Sequence, residues 1–349
     1  MSPLGSVCTS SRAPGCASGS GNGDEPMRVT VCELPHETSA LTAAWAALCE
    51  HTVAHASQLV LLPEFAMVEP VLESEHFDPA RWSAIETLNA MHLRRLADLR
   101  AEHVVGTRPV TLGGRRLNQG YLWSVADGVQ PLRSKYFLPE EPGSWEATWF
   151  QAGDPAFPVF HAGPVSFGLN ICTELWALET YATYAGLGIE LLLSPRATAL
   201  ATTRRWLAVG VVAAVRSGAF SLSSNRVDMT GGCGGSGWII DPAGEILAIT
   251  SAAEPFVTRD IDLTKAAAAK DSYPRYVFAE SSADGEGPGA AGLRTAATAP
   301  ISDVALRDAS APPPCLRAQL SGRCASPRSL WCVQERPAAA LPYDWLRLL

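Results

Sequence analysis

A layered α/β domain with mixed sheets is the fold class that this sequence of 349 residues predicts. Three observations carry that reading. Short continuous apolar runs, Leu59-Val60-Leu61-Leu62 and Ile189 to Ser194, have the composition of strands buried on both faces. Between such runs lie stretches with apolar residues at helical spacing. Turn signals at Gly113-Gly114, Asp127-Gly128 and Asp241-Pro242-Ala243-Gly244-Glu245 add antiparallel hairpins.

In chain order, residues 1–26 are rich in Ser and Gly and read as a disordered leader. Met27 opens the first strand, Arg28 to Cys32, and folded structure is expected to start there. Thr38 or Ser39 can N-cap a helix to about Ala56, with Leu41, Trp45, Leu48 and Thr52 on one face. The strand at 59–62 is stopped by Pro63 and followed by Glu64. Residues 80–102 read as a helix bearing Ile85, Leu88, His92, Leu96 and Leu99 on one side. Val104-Val105 and Tyr121 to Val125 are strand-like, and Leu132 to Tyr136 is the return strand, with Lys135 near its end.

Residues 140–150 form a loop dense in acid and tryptophan, and Gly and Pro oppose regular structure in its first half. In Val165 to Ile171, apolar residues alternate with small or polar ones. Such a strand has two unlike faces. Cys172 keeps phase with Ser166, Gly168 and Asn170, so it leaves the apolar face where the strand ends. Glu174 onward reads as a helix that Gly186 or Gly188 can end. A helix N-terminus beside a thiol favours thiolate. Helix 198–218, strand 220–224, the hairpin flanked by 238–240 and 246–248, and strand 257–263 complete the pattern. Beyond about 281, Ala, Gly, Pro and Ser dominate, and 281–349 reads as a disordered tail in which Trp331, Trp345 and Leu346 stand out.

Composition narrows the function. The net charge is −8, so there is no electrostatic footprint for nucleic acid. No apolar run is long enough to span a bilayer, and no secretory signal is expected. Nine cysteines occur at irregular spacing without a C-x-x-C pair or a Cys/His cluster. Neither a disulfide framework nor a metal site is therefore expected, and free thiols suit a reducing, cytoplasmic setting.

Glu64, Lys135 and Cys172 each end, or nearly end, an expected strand. Strand ends of layered α/β sheets converge on one edge, where sites form. A thiolate is a strong nucleophile near neutral pH. A neighbouring ammonium stabilises it and any oxyanion. A carboxylate can take the thiol proton and pass it to a leaving amine. Free Glu, at about 4.3, is a far weaker base than a thiolate at about 8.5, so burial must raise it. His92 and His161 are weaker candidates, because nothing orients either as a base.

Five segments together resemble the nitrilase superfamily of carbon–nitrogen hydrolases, over about Met27 to Phe278. Leu61-Leu62-Pro63-Glu64-Phe65 resembles the general-base segment, and Ser134-Lys135-Tyr136-Phe137-Leu138-Pro139 the lysine segment. Asn170-Ile171-Cys172-Thr173-Glu174 resembles the nucleophile segment. Glu146, seven residues before Gly153, resembles the family's second, structural or substrate-orienting glutamate. Gly235-Ser236-Gly237-Trp238-Ile239-Ile240-Asp241-Pro242 resembles the late hairpin.

The resemblance implies a four-layer α-β-β-α sandwich over residues 27–280, homodimers or larger homo-oligomers, and no cofactor. It implies that Cys172 attacks an amide or nitrile carbon and that Lys135 and the Thr173 N–H steady the oxyanion. It also implies that Glu64 moves the protons. Thr173 stands where nitrilases usually have Trp, which favours a small amide or N-carbamoyl substrate over a nitrile. Trp176 stands where many amidases have Arg, so carboxylate recognition there is not expected. Arg196 is a substitute for that role or a structural ion-pairing residue. Trp145, Trp149 and Trp176 either line an aromatic pocket or belong to the core or an interface. Arg216 replaces a familiar glutamate in the late helix. A catalytically silent binding protein on the same fold is the alternative of another class.

Overall fold

A computed structural model describes residues 26–68, 72 and 74–278. The expected leader, apart from Pro26, and the expected tail with Trp331, Trp345 and Leu346 lie outside the described residues.

The first strand, β1 (Met27–Pro35), sets the architecture through its two-residue period. Val29 and Val31 join a cluster with Leu61 and Val105, whereas Cys32 and Leu34 join another with Val60, Leu62 and Val104. Helix α1 (Thr38–Ala54) covers the second cluster with the expected face, Leu41, Trp45, Leu48 and Thr52. Its N-cap is Glu37, with no side-chain bond, and Thr38 is already helical. Neither Thr38 nor Ser39 therefore caps it.

Strand β2 (Leu59–Leu61) lies parallel to β1. Helix α2 (Pro79–Leu93) starts where Asp78 accepts bonds from the Ala80 and Arg81 N–H groups. The helix expected to reach 102 stops at Leu93, and Arg94–Leu99 continues as a 3-10 turn closed by left-handed Arg100. Three residues per turn keep Leu96 and Leu99 on one buried side, so the apolar spacing there suits either helix type.

Strand β3 (His103–Leu112) is parallel to β2 and turns at Gly113-Gly114, both at positive φ, into antiparallel β4 (Arg115–Ser124). Strand β5 (Gly128–Ser134) follows the second expected turn but begins and ends earlier than 132–136. In the acidic loop a small hairpin forms after all, β6 (Glu140–Glu141) with β7 (Ser144–Trp145), turning at Gly143. The one-turn helix α3 (Glu146–Trp149) follows.

Strand β8 (Phe160–Ala162) pairs antiparallel with β9 (Val165–Leu169). The alternation in β9 is structural. Phe167, Leu169 and Ile171 enter the cluster of Val29 and Leu61. On the other face, a Cβ at Gly168 would lie 2.7 Å from the Tyr184 ring of α4 (Glu179–Gly186), so only glycine fits. Strand β10 (Leu191–Arg196) is parallel to β9. The helix expected at 198–218 begins as a 3-10 turn, Leu200–Thr202, and becomes α5 (Thr203–Ser217). Left-handed Gly218 ends it. On α5, Arg216 stacks over the Phe278 ring at 4.0 Å.

Strand β11 (Phe220–Val227) runs parallel to both β10 and β1. The expected hairpin is β12 (Trp238–Ile240) with β13 (Ile246–Ile249). Strand β14 (Phe256–Ile261) returns antiparallel to β1, and α6 (Thr264–Lys270) follows. From Met27 to Cys32, β1 pairs with β14 and β2, and from Glu33 to Pro35 with β11. It therefore belongs to both halves of the sheet. One half carries α1 on its outer face and the other carries α4 and α5, with the Val29 cluster between them. This is a mixed α/β fold with helices against a large sheet, in keeping with the expected sandwich.

Candidate active site

The turn after β2 places Glu64. Its N–H donates to the Arg196 carbonyl at 3.2 Å, which ties β2 to the end of β10. The next residue, Phe65, has a φ of 50°, a costly left-handed conformation for a bulky side chain. Its N–H donates to Thr107 Oγ1, and Arg226 donates to the Phe65 and Val68 carbonyls. These bonds hold the strained turn and keep the Glu64 carboxyl buried.

Lys135 leaves β5 directly. Its N–H donates to the Asn118 carbonyl and its carbonyl accepts from Gly153, both at 2.8 Å. A Cβ at Gly153 would lie 2.3 Å from the Ser134 carbonyl oxygen, so only glycine allows this approach. Lys135 Nζ donates to Glu64 Oε1 at 3.0 Å and to both oxygens of Glu146 at 2.7 Å. Asn118 Nδ2 donates to the same Glu64 oxygen at 2.8 Å. Burial alone would lower the ammonium's pKa, but Glu146 and Glu64 outweigh it and hold Lys135 charged.

The reverse holds for Glu146. Burial raises its carboxyl most; Lys135 opposes this, Glu64 adds to it, and the result is a rise to about 7. One cation faces two carboxylates here, so the second carboxylate keeps its proton easily.

Cys172 is buried at the end of the β9 segment, with a φ of 50°. It opens a five-residue 3-10 turn, Cys172–Trp176, and the regular helix starts only at Glu179. The expected helix terminus beside the thiol is absent, and the thiol is shifted the other way. Burial raises its pKa most and Glu64 adds to that, whereas Lys135 and a bond from the Ala197 N–H oppose it. Attack by this sulfur therefore calls for a base to take its proton. Glu64, Lys135, Glu146 and Cys172 are thus brought within electrostatic reach of one another.

The carbon-nitrogen hydrolase family model matches residues 28–271. The chain belongs to this family. A carbon-nitrogen hydrolase from Helicobacter pylori G27 is similar in fold, with a TM-score of 0.64 at 19% identity over 72% of this chain and 94% of that one. An amidase from Nesterenkonia sp. gives 0.59 at 20% identity, over 71% and 96%. A variant of the amidase from Nesterenkonia sp. AN1, with the acetamide moiety of fluoroacetamide added covalently at its active site cysteine, gives 0.60 at 18% identity, over 74% and 98%. No curated protein sequence matches the chain.

This carbon-nitrogen hydrolase has an open cavity of about 480 Å³ whose lining includes Phe137, Leu138, Glu141, Trp176, Trp206 and Thr173, the residue after Cys172; Glu64, Lys135, Glu146 and Cys172 themselves do not line it. Trp176 is half exposed and meets Trp206 edge to face at 5.5 Å. The other two tryptophans are elsewhere. Trp149 is fully buried with Phe65, Trp82 and Phe150, and its Nε1 donates to the Ser74 carbonyl at 2.7 Å. Trp145 packs against that cluster. Arg196 does not line the cavity either. Its three guanidinium nitrogens donate to Ser223 Oγ, Thr198 Oγ1 and the Ser236 carbonyl at 2.7–2.8 Å, and it stacks on Trp238 at 4.0 Å. Burial lowers its pKa to about 9. His161 is exposed on β8, and His92 is partly buried on α2.

Sequence reasoning missed two groups. One is Asn118, whose position in a strand gave no sign of its contact with Glu64. The other is Glu174. Its carboxylate accepts from Arg133 Nη2 at 2.9 Å, the Tyr136 N–H at 2.7 Å and the Ile171 N–H at 2.9 Å. It therefore fastens the residue before Cys172 to the residue after Lys135. Arg133, two positions before Lys135 in an otherwise short strand, was the available signal.

Proposed function

We propose that this hydrolase cleaves the C–N bond of a small amide or N-carbamoyl compound through a thioester on Cys172. The observation that carries the reading is the Lys135 ammonium held 3.0 Å from Glu64 and 2.7 Å from Glu146, within reach of a protonated thiol. Glu64 takes the thiol proton as sulfur attacks the carbonyl carbon. Lys135 and the Thr173 N–H meet the oxyanion. Glu64 returns the proton to the leaving ammonia or amine, then activates water to hydrolyse the thioester. Glu146 holds Lys135 and orients substrate.

The cavity supports a neutral substrate with an apolar body. Phe137, Leu138, Trp176 and Trp206 form its walls, Glu140 and Glu141 lie at its edge, and no Lys or Arg is among its lining residues. An anionic substrate would meet repulsion there. The cysteine adduct in the similar amidase supports an amide, as does the complex of another variant of that enzyme with butyramide. We further propose a cytoplasmic homo-oligomer. No helix among the described residues is long and apolar enough to cross a membrane.

Matched panels of amides, N-carbamoyl compounds and nitriles test the reading, with ammonia release and intact mass as the measurements. Amide-derived acyl adducts are expected on wild-type protein, and none on Cys172→Ala. Turnover of nitriles alone would identify a nitrilase instead. A complete lack of adducts, with Cys172 no more reactive to a mild alkylating agent than the other cysteines, would leave only a silent binding protein.

A further inference from the structure

We propose that His36, Asp228 and Cys233 form a binding site for a divalent cation of the zinc class, separate from the catalytic residues. Strand register creates it. Pro35 of β1 pairs with Val227 of β11, so the next residues of the two strands, His36 and Asp228, emerge side by side. A bridge between Val227 and Gly234 folds the following loop back, and the Asp228 N–H donates to the Cys233 carbonyl at 3.1 Å. One ligand atom from each of the three side chains then lies within 4.8 Å of the other two. Sulfur, imidazole nitrogen and carboxylate oxygen together suit Zn²⁺ or Co²⁺ rather than Mg²⁺ or Ca²⁺.

A second observation points to a ligand. His36 Nδ1 is buried and has no hydrogen-bond partner among the described residues. Its Nε2 lies 3.7 Å from a Glu37 carboxylate oxygen, beyond hydrogen-bond distance. Asp228 is already oriented. Its Oδ1 accepts from the Thr230 N–H and Oγ1 at 2.7 Å and from the Gly232 N–H at 3.1 Å, while Oδ2 accepts from the Cys233 N–H. The Cys233 thiol is also hydrogen-bonded to the Asp228 carboxylate, so these two side chains already face each other.

Gly231 and Gly235, both at positive φ, set the path of the loop that carries Cys233. Binding forms the S–metal bond and releases the thiol proton to solvent. Three protein ligands leave a fourth position for water.

Full-length Cys172→Ala protein, which lacks the catalytic thiol, is titrated with Co²⁺ alone. The expected signature is a thiolate-to-cobalt charge-transfer band with tetrahedral visible bands, saturating at one equivalent and displaced by Zn²⁺. Adding Cys233→Ser should abolish the charge-transfer band, and adding His36→Asn should weaken binding more than about tenfold. Circular dichroism checks that both variants fold; if one does not, the other decides. Zn²⁺ should raise the Tm of Cys172→Ala but not of either double variant. No charge-transfer band, or a band that survives both substitutions, overturns the proposal. Failure here leaves the thioester chemistry untouched, because Cys172 is absent throughout.

Discussion

At the scale of single residues, Lys135 is caught between Glu64 and Glu146, and this determines what its removal does. Lys135→Ala takes away the charge proposed to meet the oxyanion and leaves two buried carboxylates facing each other. We expect kcat to fall about 10²–10³-fold or more on any amide the wild type turns over. Steady-state kinetics check this, and near wild-type activity would refute it. Glu146 gives a pH signature. Its folded-state pKa, about 7, lies above its ordinary 4.5, with burial as the largest cause. The protonated carboxyl therefore stabilises the fold fully below pH 4.5, and that contribution fades as pH rises through 7. Glu146→Gln cannot titrate. Urea unfolding should show the wild type losing stability relative to this variant as pH rises through that window. A constant difference across that window would contradict the assignment. The triad candidates were legible because each sits at a strand end. Asn118 and Glu174 were not, because a contact made across the fold leaves no local period. The His36, Asp228 and Cys233 cluster was hidden for the same reason.

Among the elements, the 3-10 turn Cys172–Trp176 depends on one carboxylate. Glu174 has donors from the segment 133–136 and from Ile171, the N-cap of its own turn, and its partner Arg133 is also buried. Glu174→Ala would take the counter-charge from that guanidinium and leave it the Ala156 and Leu169 carbonyls and the Phe157 ring. The expected cost is about 3–5 kcal/mol, read as a shifted urea midpoint. Replacing Arg133 by Met in the same chain should recover part of it, since an apolar side chain needs no partner. A cost unchanged by the second substitution would mean that the backbone bonds, not the ion pair, matter. This turn also marks where reading a helix from Glu174 fails. Asn170 donates to the Glu174 carbonyl at 3.0 Å, and Glu174 reaches back to the Ile171 N–H. Side chains that bond the local backbone offer it an alternative to α-helix. The alternation of β9, by contrast, was plain in sequence because its two faces meet different layers. Strand β3 runs far beyond Val104-Val105. Gly106 and Pro109 disguise it, yet Gly106 is needed, since a Cβ there would lie 2.6 Å from Tyr121 Oη.

For the whole molecule, residues from β2, β4, β5, α3 and the end of β9 meet in one buried cluster, so the site exists only when both halves of the sheet are joined. We propose that residues 27–280 are the folding unit. Lys270 helps to close it, donating to the carbonyls of Ile189, Ser217 and Gly218 at 2.6–2.8 Å. The antiparallel pairing of β14 on β1 sets Met27 opposite Ile261. The first strand of the unit thus lies beside its last. A circular permutant should fold, with a flexible linker long enough to join 278 to 27 and new ends cut between Gly113 and Gly114, where an added Cβ would meet nothing within 4 Å. It should form the same acyl adduct on Cys172 as the full chain. If it folds only when 279–349 is restored, the boundary lies further along the chain.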